Sequence, residues 1–348
     1  MRTTVPPFTA TALPPEPFAP ASRLSNPHIQ TLWGPLWRTK PVLDHQRERL
    51  WLEDGDFLDL DWHGTPSAHA PVVLVLHGLT GSSCSHYVLG MQSALASQGW
   101  TSVALNWRGC SGEPNLLTRS YHSGASEDLA AAVAHLRDRH PLAPLYAVGY
   151  SLGGNVLLKY LGESGSHSGL QGAVAVSVPF RLDQCADRIG QGFSRVYQAH
   201  FMREMLAYVK NKQRQFQLDD KHDGLATLAK LGTVKSLSKM RTFWEFDDRV
   251  TAPLNGYLSV QDYYRRASSR YFLGSIDTPT LIIQSEDDPF VFRHSIPEAC
   301  ELSSCTQLEL HAQGGHVGFL EGSFRKPGYY LERRIPQWLT SLGPTSVS

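Results

Sequence analysis

The sequence predicts an α/β fold: a mostly parallel central sheet with helices on both faces and an inserted helical cap. Three observations predict it. Continuous apolar, β-branched runs recur along the chain, and helical patterns fill the gaps between them. The alternation breaks off once, after Pro179, and resumes at Thr280. Runs that are apolar at every position suit strands covered on both faces, and parallel strands need crossover connections, usually helical.

The elements follow in order. Residues 1–25 are Pro-rich and read as an extended arm, and residues 26–348 read as one domain. Residues 47–52 and 57–62 flank Asp54-Gly55, a hairpin signal. Val72-Val73-Leu74-Val75-Leu76 is a buried-strand run, and residues 102–105, 145–148, 173–178, 280–283 and 307–310 are similar. Helical patterns cover residues 90–98, 126–139, 155–161 and 331–342. Ser126, Glu127 and Asp128 place acids at a helix start, where the dipole favours them. Residues from about 180 to 270 carry helical patterns without a buried strand, and they form the expected cap. Within it, Phe193, Tyr197 and Phe201 are spaced four and four, a stripe that either packs the cap or lines an acyl pocket.

Composition excludes several classes. The 348 residues hold 32 Lys+Arg against 32 Asp+Glu, a net charge of +0, which argues against a broad nucleic-acid footprint. The five cysteines (Cys84, Cys110, Cys185, Cys300, Cys305) are odd in number and form no CxxC, so a reducing, cytoplasmic setting is expected. No secretory signal and no apolar run of spanning length is read, so no integral membrane segment is expected. Peripheral lipid contact and oligomeric state stay open.

Four loops at predicted strand ends carry chemistry. Gly149-Tyr150-Ser151-Leu152-Gly153 joins a strand to a helix and matches G-x-S-x-G. Such a turn holds its serine in a strained backbone and aims the hydroxyl at the sheet edge, beside a helix N-terminus. His77-Gly78-Leu79-Thr80-Gly81 follows the strand 72–76; the N–H groups of Leu79 and Leu152 are the expected oxyanion hole, with His77 ordering the loop. Glu286-Asp287-Asp288-Pro289 follows the strand 280–283, where a triad acid belongs. Asp288 at the bend is favoured over Asp287, which reads as a turn-capping residue. Gly314-Gly315-His316 follows the last strand and completes the order Ser…Asp…His. Arg108 reads as a brace for its loop, and Cys84 and Cys110 as small hydrophobes.

Further segments make a resemblance specific. Asn26-Pro27-His28-Ile29-Gln30-Thr31-Leu32-Trp33-Gly34, which alone reads as a helix start after a turn, resembles the N-terminal signature of the YheT-like (AB hydrolase 4) family of α/β-hydrolases. Asp54-Gly55-Asp56, Asn106-Trp107-Arg108-Gly109, Arg119-Ser120-Tyr121-His122 and Asp287-Asp288-Pro289-Phe290 match in the same order, across about residues 25–335. The resemblance implies the α/β-hydrolase fold and a serine-hydrolase triad, carried onto Ser151, Asp288 and His316. It suggests carboxylic esters with acyl or lipid chains as substrates. The family's eukaryotic members carry an N-terminal membrane anchor; none is read here. The sequence thus leads to the expectation of a serine esterase acting on a small-molecule ester through an acyl-enzyme, with no metal or organic cofactor. An acyltransferase using the same triad and a non-catalytic binder on this fold are the alternatives.

Overall fold

A computed structural model describes residues 14, 16–21, 23–219, 222–232 and 234–343. Most of the Pro-rich arm therefore lies outside the described residues. The described part packs on the domain: the Phe18 ring meets those of Phe319 and Tyr330 at 5.4 and 5.3 Å.

Eight strands form one sheet in the order β1-β2-β4-β3-β5-β6-β7-β8. The hairpin β1 (Gln46–Trp51) and β2 (Phe57–His63) turns at Asp54-Gly55, where Gly55 has φ +81°. β2 pairs antiparallel with β4 (Thr101–Asn106). From there the sheet is parallel through β3 (Val72–Leu76), β5 (Leu145–Tyr150), β6 (Gly172–Val176), β7 (Thr280–Ser285) and β8 (Thr306–His311). The exchange of β3 and β4 is absent from the sequence pattern, because which strands pair depends on crossovers rather than local periodicity.

Side-chain alternation along each strand divides the core between the two faces. Val72, Leu74 and Leu76 join Leu129, Val133 and Leu157 of α3 (Ser126–Arg139) and α4 (Leu152–Ser164). Val73 and Val75 face Met91 and Leu95 of α2 (His86–Ser97), with Ile335 and Trp338 of the C-terminal helix Tyr330–Ser341. Full burial of each such side chain stabilises by about 1.5–3 kcal/mol relative to exposure. α3 carries Glu127 and Asp128 in its first turn and Arg137 and Arg139 in its last, matching its dipole at both ends.

Two helices start earlier than their patterns suggest. α2 begins at His86, four residues before the expected start, and α4 begins at Leu152, directly after the serine. Gly90 falls inside the first helix and Gly153 inside the second, and glycine, a poor helix former, weakens the helical pattern around each. Both stand where a Cβ has no room: at Gly153 it would lie 2.7 Å from the Leu76 carbonyl oxygen, and at Gly90 2.0 Å from the Glu332 carboxylate.

Between β6 and β7 the described residues form helices and turns without a strand. They include α5 (Leu182–Ile189), α6 (Ser194–Leu218), α7 (His222–Lys230) and the helix Val260–Ala267. This segment has its own apolar cluster, centred on Met205, Val209, Phe216 and Phe246. Lys212 of α6 ties it to the loop that follows β4: its buried ammonium donates to Asn115 Oδ1 (2.6 Å) and to the carbonyls of Leu117 and Arg119 (both 2.8 Å). At the other end of the chain, α1 (Pro27–Trp37) starts on an Asn26 cap and lies against the loop that follows β8. A hairpin not foreseen from the sequence, β9 (Leu320–Ser323) with β10 (Lys326–Tyr329), follows that loop. No helix among the described residues is long and apolar enough to cross a membrane.

Candidate active site

The carboxyl ends of β5, β7 and β8 bring three predicted residues into one hydrogen-bonded line. His316 Nε2 is 2.9 Å from Ser151 Oγ, and His316 Nδ1 is 2.8 Å from Asp288 Oδ2. Ser151 sits between β5 and α4 with φ +52° and ψ −118°. A non-glycine residue held there stores on the order of 1–3 kcal/mol of strain. The surroundings impose the turn. The Ser151 N–H donates to the Val176 carbonyl (2.8 Å), and a Cβ on Gly149 would meet the Gly153 carbonyl oxygen at 2.6 Å. The two glycines thus let strand and helix approach closely enough to force the serine outward.

Asp288 is buried, and Oδ1 accepts the Phe290 N–H at 2.8 Å. Gln284 Nε2 donates to Oδ2 at 3.3 Å. Asp287 takes a different part. Its Oδ1 accepts the Gly315 N–H at 2.9 Å, so it braces the histidine loop rather than the imidazole. Burial raises its carboxyl above the usual carboxylate value.

The histidine loop is fixed from several sides. The His316 N–H donates to Thr31 Oγ1 (2.9 Å), the Val317 N–H to Ser177 Oγ (2.9 Å), and Ser285 Oγ to the Gly315 carbonyl (2.7 Å). The Phe290 ring lies on the imidazole, with centroids 4.2 Å apart. Gly315 (φ +59°) lies so close to α1 that a Cβ would meet the Pro27 carbonyl oxygen at 2.5 Å. Gln30, buried in α1, donates to the Leu24 carbonyl (2.7 Å) and accepts the Leu320 N–H (2.7 Å). Thr31 and Gln30 are the functional residues that sequence reasoning missed. Their signal was the Asn26–Gly34 motif, which marked a helix start and a family likeness but not what the helix supports.

The loop after β3 approaches the serine from the other side. A Cβ on Gly78 would lie 3.1 Å from Ser151 Cβ. Tyr87 Oη accepts the Gly78 N–H and Tyr121 Oη the Thr80 N–H, each at 3.0 Å. These two bonds hold the amides of Gly78 and Thr80, the residues on either side of Leu79. Leu79 and Leu152 line the same cavity as Ser151. His77 is buried and makes no contact with the triad hydrogen bonds. Its Nδ1 pairs with the Gly78 carbonyl (2.8 Å) and its Nε2 accepts the Trp107 N–H (3.3 Å). Burial depresses its pKa to about 4, so the ring is neutral at pH 7 and acts as a spacer between loops. Arg108 is a brace as expected, paired with Asp128 (2.7 Å) and Asp56 (3.0 Å).

Ser151 and His316 open into a cavity of about 1000 Å³ with a mainly apolar wall. The segment between β6 and β7 supplies much of that wall, including Leu182, Ile189, Tyr197, Phe201 and Met205. The aromatic stripe divides: Phe201 and Tyr197 line the cavity, whereas Phe193 is 51% exposed and packs on His28 (4.5 Å between centroids). Two acids, Glu204 and Asp247, line the cavity; Asp247 sits in a π-helical turn, held by Tyr264 Oη (2.7 Å) and Thr251 Oγ1 (2.5 Å). Burial raises its carboxyl to about 6. Cys110, also in the wall, is pushed up to about 12 by burial and stays a neutral thiol at pH 7.

A mostly parallel sheet with a strained serine turn and an acid and histidine at later strand ends is the frame of one large class of enzymes. The chain belongs to the α/β-hydrolase fold family, whose model matches residues 71–323. Within that class its relatives are YheT-like. It is 40% identical over 327 residues to the Escherichia coli protein named "Putative esterase YheT", covering 93% of both chains. It is 32% identical over 324 residues to human phospholipase ABHD3, covering 90% of this chain and 76% of that one. Among solved structures, the Pyrococcus furiosus esterase Pf2001 shares the fold, with a TM-score of 0.55 at 18% identity over 87% of this chain and 95% of the other.

Proposed function

We propose that the chain is a serine hydrolase that cleaves carboxylic esters with acyl or lipid chains. The observation that carries this reading is the continuous relay Ser151–His316–Asp288 at the mouth of an apolar cavity. His316 Nε2 takes the proton from Ser151 Oγ as that oxygen attacks the ester carbonyl. Asp288 accepts the Nδ1–H, fixes the tautomer and stabilises the imidazolium. The Leu79 and Leu152 N–H groups receive the oxyanion, the second aided by the α4 N-terminus. Collapse of the tetrahedral intermediate transfers the His316 proton to the departing alcohol and leaves an acyl-Ser151 ester. Water, deprotonated by His316, then releases the carboxylic acid.

The relatives named as an esterase and a phospholipase support the ester class. The helical segment at about 180–270 acts as a cap that sets acyl preference. The five cysteines are all free thiols, which fits a reducing, cytoplasmic compartment. The test is labelling with a fluorophosphonate probe, with the modified peptide mapped by mass spectrometry. Modification at Ser151, and its loss in Ser151→Ala, is the expected result. Stable labelling elsewhere, or a Ser151→Ala variant that keeps its esterase rate, would refute the assignment.

A further inference from the structure

The apolar residues of α1 are not all spent on the core. Gln30 and Gly34 face inward and are buried, while Ile29, Leu36 and Trp37 face out, 38%, 60% and 60% exposed. Phe324, at the tip of the β9–β10 hairpin, extends the patch: the Trp33 ring lies 5.4 Å from that of Trp37 and 5.8 Å from that of Phe324. On the other flank, Phe193 packs on His28 of α1, and Val196 is 59% exposed. Six of the thirteen exposed large hydrophobic side chains among the described residues thus gather around one helix. The patch is continuous with the cavity, whose wall includes Leu32, Pro35, Leu36 and Val196.

We propose that α1 and its rim dock on an anionic lipid bilayer, with the cavity mouth opening onto the acyl layer. Three features select a bilayer. α1 carries no charged residue, so nothing on its outer face resists desolvation. Tryptophan at the edge of an apolar face suits the interface between headgroups and acyl chains. Lys40, Arg195, Arg325 and Lys326 are exposed beside the apolar residues in sequence and complement anionic headgroups. A protein seated on the same patch would close the mouth, whereas a bilayer presents its own acyl chains to it.

The role in substrate delivery rests on the hydrolase reading above; the docking does not. The two are therefore tested apart. Ser151→Ala protein is sedimented with sucrose-loaded vesicles of equimolar phosphatidylcholine and phosphatidylglycerol, and compared with a Trp37→Ser/Phe324→Ser double variant. Soluble short-chain ester hydrolysis is measured in parallel with Ser151 intact. The proposal expects vesicle binding that falls by about tenfold or more in the double variant, with the soluble-ester rate unchanged. Absence of vesicle binding, or equal binding by the double variant, overturns it. Equal binding to pure phosphatidylcholine vesicles overturns the anionic preference. A dimer that the double variant dissolves, without vesicle binding, assigns the patch to a second copy of this chain and also overturns it. Failure of soluble-ester hydrolysis with vesicle binding retained counts against the hydrolase reading alone.

Discussion

At the scale of single residues, the structure gives the two adjacent aspartates different work. Asp288 meets the imidazole, and Asp287 holds the backbone of the loop that carries it. Asp288→Asn is expected to lower esterase kcat by roughly 10⁴, the effect of the equivalent change in a serine protease. Asp287→Asn retains an acceptor oxygen for the Gly315 N–H, so about a tenfold loss or less is expected, consistent with one hydrogen bond of roughly 1 kcal/mol. Steady-state kinetics on both variants, with circular dichroism to verify folding, decide this; a larger loss at Asp287 would reverse the roles. The sequence made both aspartates candidates because strand ends and turns are local signals. It could only favour one, because the direction of each carboxylate depends on contacts with residues 28 positions away.

At the scale of elements, α1 and α6 act on the site through packing. Gln30→Ala leaves the buried Leu320 N–H without its acceptor, at a cost of about 1–3 kcal/mol in stability. Because α1 also holds the His316 N–H through Thr31, kcat should fall more than KM rises. Urea unfolding and initial rates measure the two effects, and a variant with unchanged stability and kcat would remove α1 from the support of the histidine. On α6, Phe201→Ala should shift the chain-length profile of kcat/KM across p-nitrophenyl esters, since one methylene in an apolar pocket is worth about 1–3 kcal/mol. Phe193→Ala should leave that profile alone, because its ring lies outside the cavity wall. The helical stripe itself was legible from its spacing. Which rings face the cavity was not, because that depends on how α6 rotates against the residues below it. The α1 motif was equally visible, but its contacts lie about 290 residues away along the chain.

At the scale of the whole molecule, the break in strand–helix alternation foretold where the helical segment is inserted. It gave no account of the buried histidines, whose environment exists only after assembly. Burial depresses His77 and His86 to about 4 and His122 to about 3, against 6.5 when unfolded. The unfolded chain therefore binds more protons below pH 6.5, and the stability tied to neutral imidazoles is lost as pH falls towards those values. Asp247 works in the opposite sense. Its folded pKa of about 6 exceeds the 3.8 of the unfolded chain, so its contribution is lost as pH rises through 6. Burial also lowers His28, His140 and His311 and raises Asp128, Asp287 and Glu332, so six depressed histidines face four raised acids. The urea midpoint should therefore drop between pH 7.5 and pH 5.0, and a midpoint that holds or rises over that range would contradict this balance. Asp247→Asn should make the drop steeper by removing an opposing contribution.

The clasp between α1 and the histidine loop makes the enzyme a detector of its own completeness. Thr31 is made 285 residues before His316. A ribosome-bound chain that has emerged only through β6 already contains the Ser151 turn, yet it has neither Asp288 nor His316. Even with β7 and β8 in place, the imidazole lacks one of its anchors until the N-terminal helix has returned across the sheet edge. On the proposed mechanism, full nucleophilic power at Ser151 waits for two segments 285 residues apart to meet. Partly made or N-terminally nicked chains should therefore carry the serine without being able to use it fully.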